Sequence, residues 1–412
     1  MKTEAIHSCN KCGLCLLTCP VYQETKEETH SPRAKVQLIK HYVQNDLPAS
    51  PSLQNIVSKC LMCGSCTASC PSGVEHDLLF MQMRSEMIRD VGQEWMLKVL
   101  FHFLSHEQQL RFAARAARLG RSLASERLLK KYSLGGISLE KTPVFNRIPF
   151  RKQLSAVNEP NGPVRGTVIY FTGCATQYID GKVGLAVVQV LKAMGFRVLI
   201  PTEQGCCGVP IFLNGRPDQA ADLIHKNVAC LNQEEVEAVV VDCATCGSAL
   251  RREYPKLLRE LGRPVSDAER LAAQVEDISE FIFNRFEFLE PGLIPEAKGP
   301  GVTYHAPCHL RNAQGVGRQV ETLLQALPGV RFRAVADQNA CCGGGGSFFF
   351  KYPDSVKKIV SNKIDSIVRS GASVLATGCP SCRINFAGNL PGPLSVLHPV
   401  QLVADCLQGG DG

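Results

Sequence analysis

Beyond residue 165 the chain alternates short apolar runs with longer stretches whose apolar residues recur at helical spacing. GTVIYF (166–171), FRVLIP (196–201) and VEAVVV (236–241) read as strands, and KVGLAVVQVLKAMG (182–195) reads as a helix between the first two. The same order of patterns returns in GVTY (301–304), VETLLQALPG (320–329), VRFRAV (330–335) and ASVLAT (372–377). Strand, loop and helix in repeated order predict α/β layers built from two copies of one unit. Upstream the pattern is helical. Val36, Leu38, Ile39, Tyr42 and Val43 recur along SPRAKVQLIKHYVQND with Pro32 at the entrance. Trp95 to Tyr132 is helical and basic, with Leu110, Ala113, Ala114 and Ala117 on one face and Arg111, Arg115, Arg118 and Arg121 over much of the rest. SAVNEPNGPVRG (155–166) reads as a linker.

These patterns predict a multi-domain α/β chain: a helical domain at 1–92, a helical connector and linker at 93–160, one α/β module at 161–262, a helical connector at 263–299 and a second module at 300–412. A length of 412 residues agrees with two to four domains, and 45% hydrophobic with 20% charged residues is an ordinary globular composition. The net charge of +7 suits an acidic partner surface or lipid headgroups and argues against a nucleic-acid partner. MKTEAIHSCNKCGLC has no apolar core of a secretory signal, and the best membrane candidate, WMLKVLFHFL, is short and interrupted by Lys98 and His102. A cytoplasmic location is therefore expected, with the inner membrane face as an alternative docking place. For the basic helix, a solvated connecting hairpin is favoured over a membrane or partner surface.

Twenty cysteines change this picture. In a reducing compartment such a density points to metal or redox chemistry rather than to a disulfide scaffold. CNKCGLCLLTCP places Cys9, Cys12, Cys15 and Cys19 before Pro20; CLMCGSCTASCP places Cys60, Cys63, Cys66 and Cys70 before Pro71. Both are the C-x2-C-x2-C-x3-C-P run of bacterial ferredoxins, in which three thiolates wrap one 4Fe–4S cubane and the fourth serves the other. Cys9, Cys12, Cys15 and Cys70 are thus assigned to one cubane, and Cys60, Cys63, Cys66 and Cys19 to the second. Zinc knuckles have no reason to repeat a third step with a following proline. Arg33 and Lys35 have two readings, offsetting cluster charge or standing on a solvated helix face.

The α/β modules carry five cysteines each: Cys174, Cys206, Cys207, Cys243 and Cys246, then Cys308, Cys341, Cys342, Cys379 and Cys382. Equivalent positions differ by 134 (308 minus 174), 135 (341 minus 206) and 136 (379 minus 243). Each cysteine follows a strand, where α/β sheets collect ligands, so three loops converge on one sulfur-rich site per module. Glycines around the doublets, Gly205, Gly208 and Gly343 to Gly346, let backbone approach it. GGGGS has no following Gly-Lys-Ser/Thr, and GVG (315–317) does not continue as a dinucleotide fingerprint. Cys230 and Cys406 read as structural, His309 as a surface or cap residue, and His305 and His398 receive no role.

On these motifs the chain resembles the iron–sulfur subunit family of glycolate oxidase, with the anaerobic glycerol-3-phosphate dehydrogenase small subunit close to it. Its modules look like the cysteine-rich CCG domains that heterodisulfide reductase also carries, there without a fused ferredoxin. The resemblance implies two 4Fe–4S cubanes, one or two further noncubane 4Fe–4S clusters with zinc as an alternative in one module, and FAD only on a partner dehydrogenase chain. It implies an electron-transfer subunit of a glycolate or D-lactate type dehydrogenase that feeds quinone or another carrier. The alternatives are a thiol/disulfide enzyme with a catalytic noncubane cluster, or the electron-transfer subunit of a glycerol-3-phosphate dehydrogenase. No catalytic residue is assigned.

Overall fold

The computed structural model describes residues 4–408 apart from 135, 234, 286–298, 336 and 338. Much of the connector expected at 263–299 therefore lies outside the described residues, after the helix Ile278–Arg285.

Each half of the C-terminal region builds a parallel sheet. In the first, Gly166–Phe171 lies between Phe196–Leu199 and Ala238–Val241, and Val275–Asp277 extends the sheet beyond the latter. In the second, Gly301–Tyr304 lies between Arg331–Phe332 and Val374–Ala376, with Ser395–Leu397 outside. Both sheets share the spatial order second, first, third, fourth. The order reverses between the first and third strands, the switch point where such sheets open a crevice at their carboxyl ends.

Alternation along the strands sorts the core. Val168, Tyr170, Ala238 and Val240 pack into an apolar cluster continuous with the second module, where Val302, Tyr304 and Leu375 join it. Their neighbours Ile169, Phe171, Val239 and Val241 point the other way, into a cluster shared with Met83, Phe80 and Val36 of the N-terminal helices. The first sheet is thus the middle layer of the molecule, apolar on both faces because both are covered.

The predicted linker is partly ordered: Val157–Asn158 pairs antiparallel with Phe196–Leu199 as an edge strand. Proline and serine fix the N-terminal helices. Ser31 and Ser50 accept the N–H groups of Ala34 and Leu53, ahead of Pro32–Val43 and Pro51–Ser58. The basic stretch forms Trp95–Ser105, Glu107–Leu123 and Glu126–Lys131. Two details depart from its predicted faces. Ala117 is exposed, and the Arg121 guanidinium is engaged, donating to the carbonyls of Leu139, Glu140 and Thr142. Among the described residues no helix is long and apolar enough to cross a membrane.

Asp277 ends the fourth strand fully buried, accepting only the Ser279 N–H on Oδ1, while Oδ2 has no partner. Burial pushes its carboxyl up to about 7. The folded state therefore binds this proton more tightly than the unfolded chain, and stability falls as pH rises from about 4 towards 7. Asp277→Asn is expected to flatten that fall; a thermal midpoint that drops equally between pH 5 and pH 8 in both proteins would refute it.

Candidate metal centres

The two ferredoxin runs fold alike, residue for residue. Lys11 and Met62 both take positive φ (56° and 53°), as do Gly13 and Gly64 (83° and 70°), which open the short helices Leu14–Thr18 and Ser65–Ala68. Left-handed backbone at a non-glycine residue is uncommon, and its repetition marks a loop shaped around something. The helices pair through Thr18 and Ser69, whose hydroxyls lie 3.1 Å apart. Asn10 Nδ2 donates to Ser72 Oγ at 3.0 Å, drawing the start of the first run towards the end of the second. Cys19, Cys60, Cys63 and Cys66 line one cavity of about 440 Å³. Burial pushes the Cys19 thiol up to about 12 and Cys66 well above its ordinary value, and the neighbouring thiols add to both. Buried thiols in this state ionise only against a cation.

Two buried cations lie under this second set. Lys35 Nζ donates to the carbonyls of His30 (2.8 Å) and Lys59 (2.9 Å). Arg84 donates to the carbonyls of Leu213 (2.8 Å), Ser58 (2.9 Å) and Cys60 (2.9 Å). Among the described residues neither has a carboxylate partner, so their charge remains to face an anionic, thiolate-bound group. Lys35 is thus not on a solvated face. Arg33 is the surface residue, paired with Glu28 at 2.7 Å. Nothing in the sequence singles out Arg84, one arginine on the helix His76–Asp90.

Each five-cysteine set converges at the carboxyl ends of its sheet. In the doublets, Gly208 and Gly343 take positive φ (81° and 75°) and aim their N–H groups at Cys206 Sγ (3.5 Å) and Cys341 Sγ (3.3 Å). This conformation explains a glycine after each doublet. Asn227 and Tyr254 hold the Cys206 and Cys207 carbonyls at 2.9 and 3.0 Å. The thiols form hydrogen-bonded chains. Hydrogen bonds from Cys206 and Cys246 pull Cys207 down to about 6, Cys341 and Cys382 pull Cys342 well below the ordinary thiol range, and Cys382 pulls Cys379 down to about 7. All twenty cysteines are free, against a disulfide scaffold.

The donor sets fit sulfur-loving metal groups. Cys308, Cys341, Cys342, Cys379 and Cys382 line a cavity of about 750 Å³, and Cys60 and Cys63 of the ferredoxin set line its opposite side. A Cβ on Gly344 would lie 2.8 Å from the Ser381 carbonyl, and one on Gly345 2.8 Å from that of Leu61, so glycine closes this cavity against both walls. Helix Cys308–Gln314 carries the join. His309 is not a surface residue: its ring contacts Thr245 Oγ1 at 3.1 Å and donates Nε2–H to the Met62 carbonyl at 3.0 Å. Asn312 donates to the Cys63 carbonyl at 2.9 Å. His398, buried, bridges the modules through Nε2 and the Asp242 carbonyl at 3.0 Å. Cys230 and Cys406 sit in helices Pro217–Leu231 and Pro399–Gln408, half-buried and apart from both sets.

Comparison with known proteins agrees with this architecture. A model of the cysteine-rich domain matches residues 168–251 and 302–387, and a model of the 4Fe-4S dicluster domain matches 5–74. The chain is 26% identical over 420 residues to the probable glycolate oxidase iron-sulfur subunit of Bacillus subtilis, covering 97% of this chain and 93% of that one. It is 31% identical over 241 residues to Lactate utilization protein A of Exiguobacterium sp., covering 57% of this chain and 96% of that one. The chain belongs to the iron–sulfur subunit family of glycolate oxidase. Like other members of this family it is an iron–sulfur component of an oxidoreductase complex. The family extends to more distant relatives. One component of the dihydromethanophenazine:CoB--CoM heterodisulfide reductase of Methanosarcina mazei is 24% identical over 430 residues, covering 98% of this chain and 94% of that one. A crystal structure of a hypothetical protein from Helicobacter pylori shares the fold at TM-score 0.50 and 10% identity; the match covers 92% of this chain and 66%, just under two thirds, of that one.

Proposed function

We propose that this chain is the electron-transfer subunit of a flavin-dependent 2-hydroxy-acid dehydrogenase of the glycolate or D-lactate type. Cys9, Cys12, Cys15 and Cys70 hold one 4Fe–4S cubane, and Cys19, Cys60, Cys63 and Cys66 the other. The two five-cysteine sets hold noncubane clusters, with zinc the alternative occupant of one. Iron–sulfur groups so held would accept single electrons from an FAD-bearing partner chain and pass them to quinone or another carrier. The observation that carries this reading is contiguity: Cys60 and Cys63 line the same cavity as all five thiols of the second module. His309 and Asn312 hold that approach fixed by gripping the backbone of the second cysteine run. Arg84 and Lys35 supply the positive charge that keeps its thiolates ionised. Exposed Trp95, Phe112 and Leu123 beside Arg111 and Arg115 support docking at the inner membrane face, where a quinone would be reached.

The test is reconstitution with the FAD-containing dehydrogenase under anaerobic conditions. Adding the 2-hydroxy acid is expected to reduce the clusters, seen by bleaching and by the paramagnetic spectrum. Turnover of the flavoprotein that leaves this chain oxidised would defeat the proposal. A second reading, a thiol/disulfide enzyme, is favoured by an open cleft of about 1370 Å³ that reaches Cys308, Cys341 and Cys342 from the surface. A disulfide that alters the second module's spectrum without any partner would support it.

A further inference from the structure

The two modules are not chemically equivalent. Three residues before Cys174 the first strand ends in Phe171, and three before Cys308 its counterpart is followed by His305, an offset of 134 (305 minus 171). Phe171 belongs to the apolar cluster beneath the first sheet. His305 is 1% exposed, and neither of its ring nitrogens has a hydrogen-bond partner among the described residues. A buried polar group in that condition costs on the order of 1–3 kcal/mol unless something binds it. Its orientation is fixed. The backbone N–H is held by the Ala376 carbonyl at 3.0 Å, and the ring meets Phe386 edge-on at a centroid distance of 4.9 Å. The sulfur atoms of Cys342 and Cys382 lie 2.8 Å apart. One imidazole nitrogen and these two sulfurs all fall within 4.8 Å of one another. His309, by contrast, already has partners for both ring nitrogens.

We propose that His305 is a nitrogen ligand to the metal group held by the second five-thiol set, which makes that site a mixed sulfur–nitrogen centre while the first is all sulfur. The inference rests on the reading above that these sets hold clusters. Imidazole is the commonest protein metal ligand, and exchanging thiolate for imidazole on iron raises a cluster's potential. The second site would then be the stronger electron acceptor of the pair, a direction for flow built into one side chain of an otherwise duplicated module.

The experiment uses the full chain, purified without oxygen from cells fed isotopically labelled histidine, and reads nitrogen couplings by pulsed paramagnetic resonance. A strongly coupled histidine nitrogen is expected in the wild type, kept in His309→Asn and absent in His305→Phe and His305→Gln. The midpoint potential of the second site is expected to shift to more negative values in His305→Gln. An iron-loaded wild-type protein without that coupling, or one whose coupling survives in His305→Phe, overturns the assignment and leaves the conducting role standing. The wild-type measurement decides even where a variant fails to load its second site. A chain that carries no iron at all overturns the cluster reading itself, and this inference with it.

Discussion

Replacing Arg84 with methionine is expected to cost about 3–5 kcal/mol and to lower the iron content of the second cysteine run. The side chain is buried, and its two Nη groups donate to carbonyls from three places. Those of Val57 and Ser58 end a helix, that of Cys60 belongs to the cluster loop, and that of Leu213 belongs to the first module. Methionine fills the volume but donates nothing, so these acceptors lose their partner with little water to replace it. The helix end also loses the positive charge that its dipole favours. Because the same guanidinium ties the Cys60 loop to the first module, the cavity shared by the two metal centres loses a wall. The check is a denaturation midpoint together with the iron-to-protein ratio. A variant that keeps both near wild-type would show that these hydrogen bonds are replaceable. Lys35→Met serves as the companion: it removes charge under the same thiols, touches only the His30 and Lys59 carbonyls, and should move the cluster's potential to more negative values.

Arg84 also marks where sequence reasoning stops. The ferredoxin runs and the cysteine doublets were legible because each is a local repeat whose spacing dictates which sulfurs can converge. The strand order followed from the same periodicity, since buried parallel strands such as Ala238–Val241 are continuous apolar runs. Long-range polar contacts leave no such trace. Arg84, Thr245 and Asn312 look ordinary in the chain, and their partners lie 24 to 249 positions away. His309 misled for the same reason, because its two partners come from different domains. The linker misled otherwise: Val157 and Asn158 sit among prolines and glycines, yet the open edge of the first sheet offered them a ladder. His305 is the instructive case. Overlaying the two modules at their constant offset sets it opposite Phe171, a signal within the sequence that only a buried, unpartnered ring turns into chemistry.

Removing the metal is expected to unfold the N-terminal 4–74 segment while both parallel sheets persist. The reason is the length of its elements. Glu4–His7, Leu14–Thr18, Pro20–Thr25 and Ser65–Ala68 have 4, 5, 6 and 4 residues, far below the roughly 12–15 that an isolated helix needs to be even marginal in water. What orders them is the cysteines they present, and those thiols resist ionisation: burial drives Cys15 and Cys63 above the ordinary range, as it does Cys19 and Cys66. Metal binding must release those protons, so its free energy is folding free energy here, and retention of the clusters weakens as pH falls. The modules differ. Val168 to Phe171 and Ala238 to Val241 are buried within complete ladders, and their cores owe nothing to the cysteine loops. Hydrogen exchange after anaerobic chelation reads the difference directly. Amides of the two ferredoxin runs are expected to lose protection almost entirely while those of the central strands keep theirs. Simultaneous loss in both would mean that the metal holds the whole molecule together, and the division of labour argued from element length would be wrong.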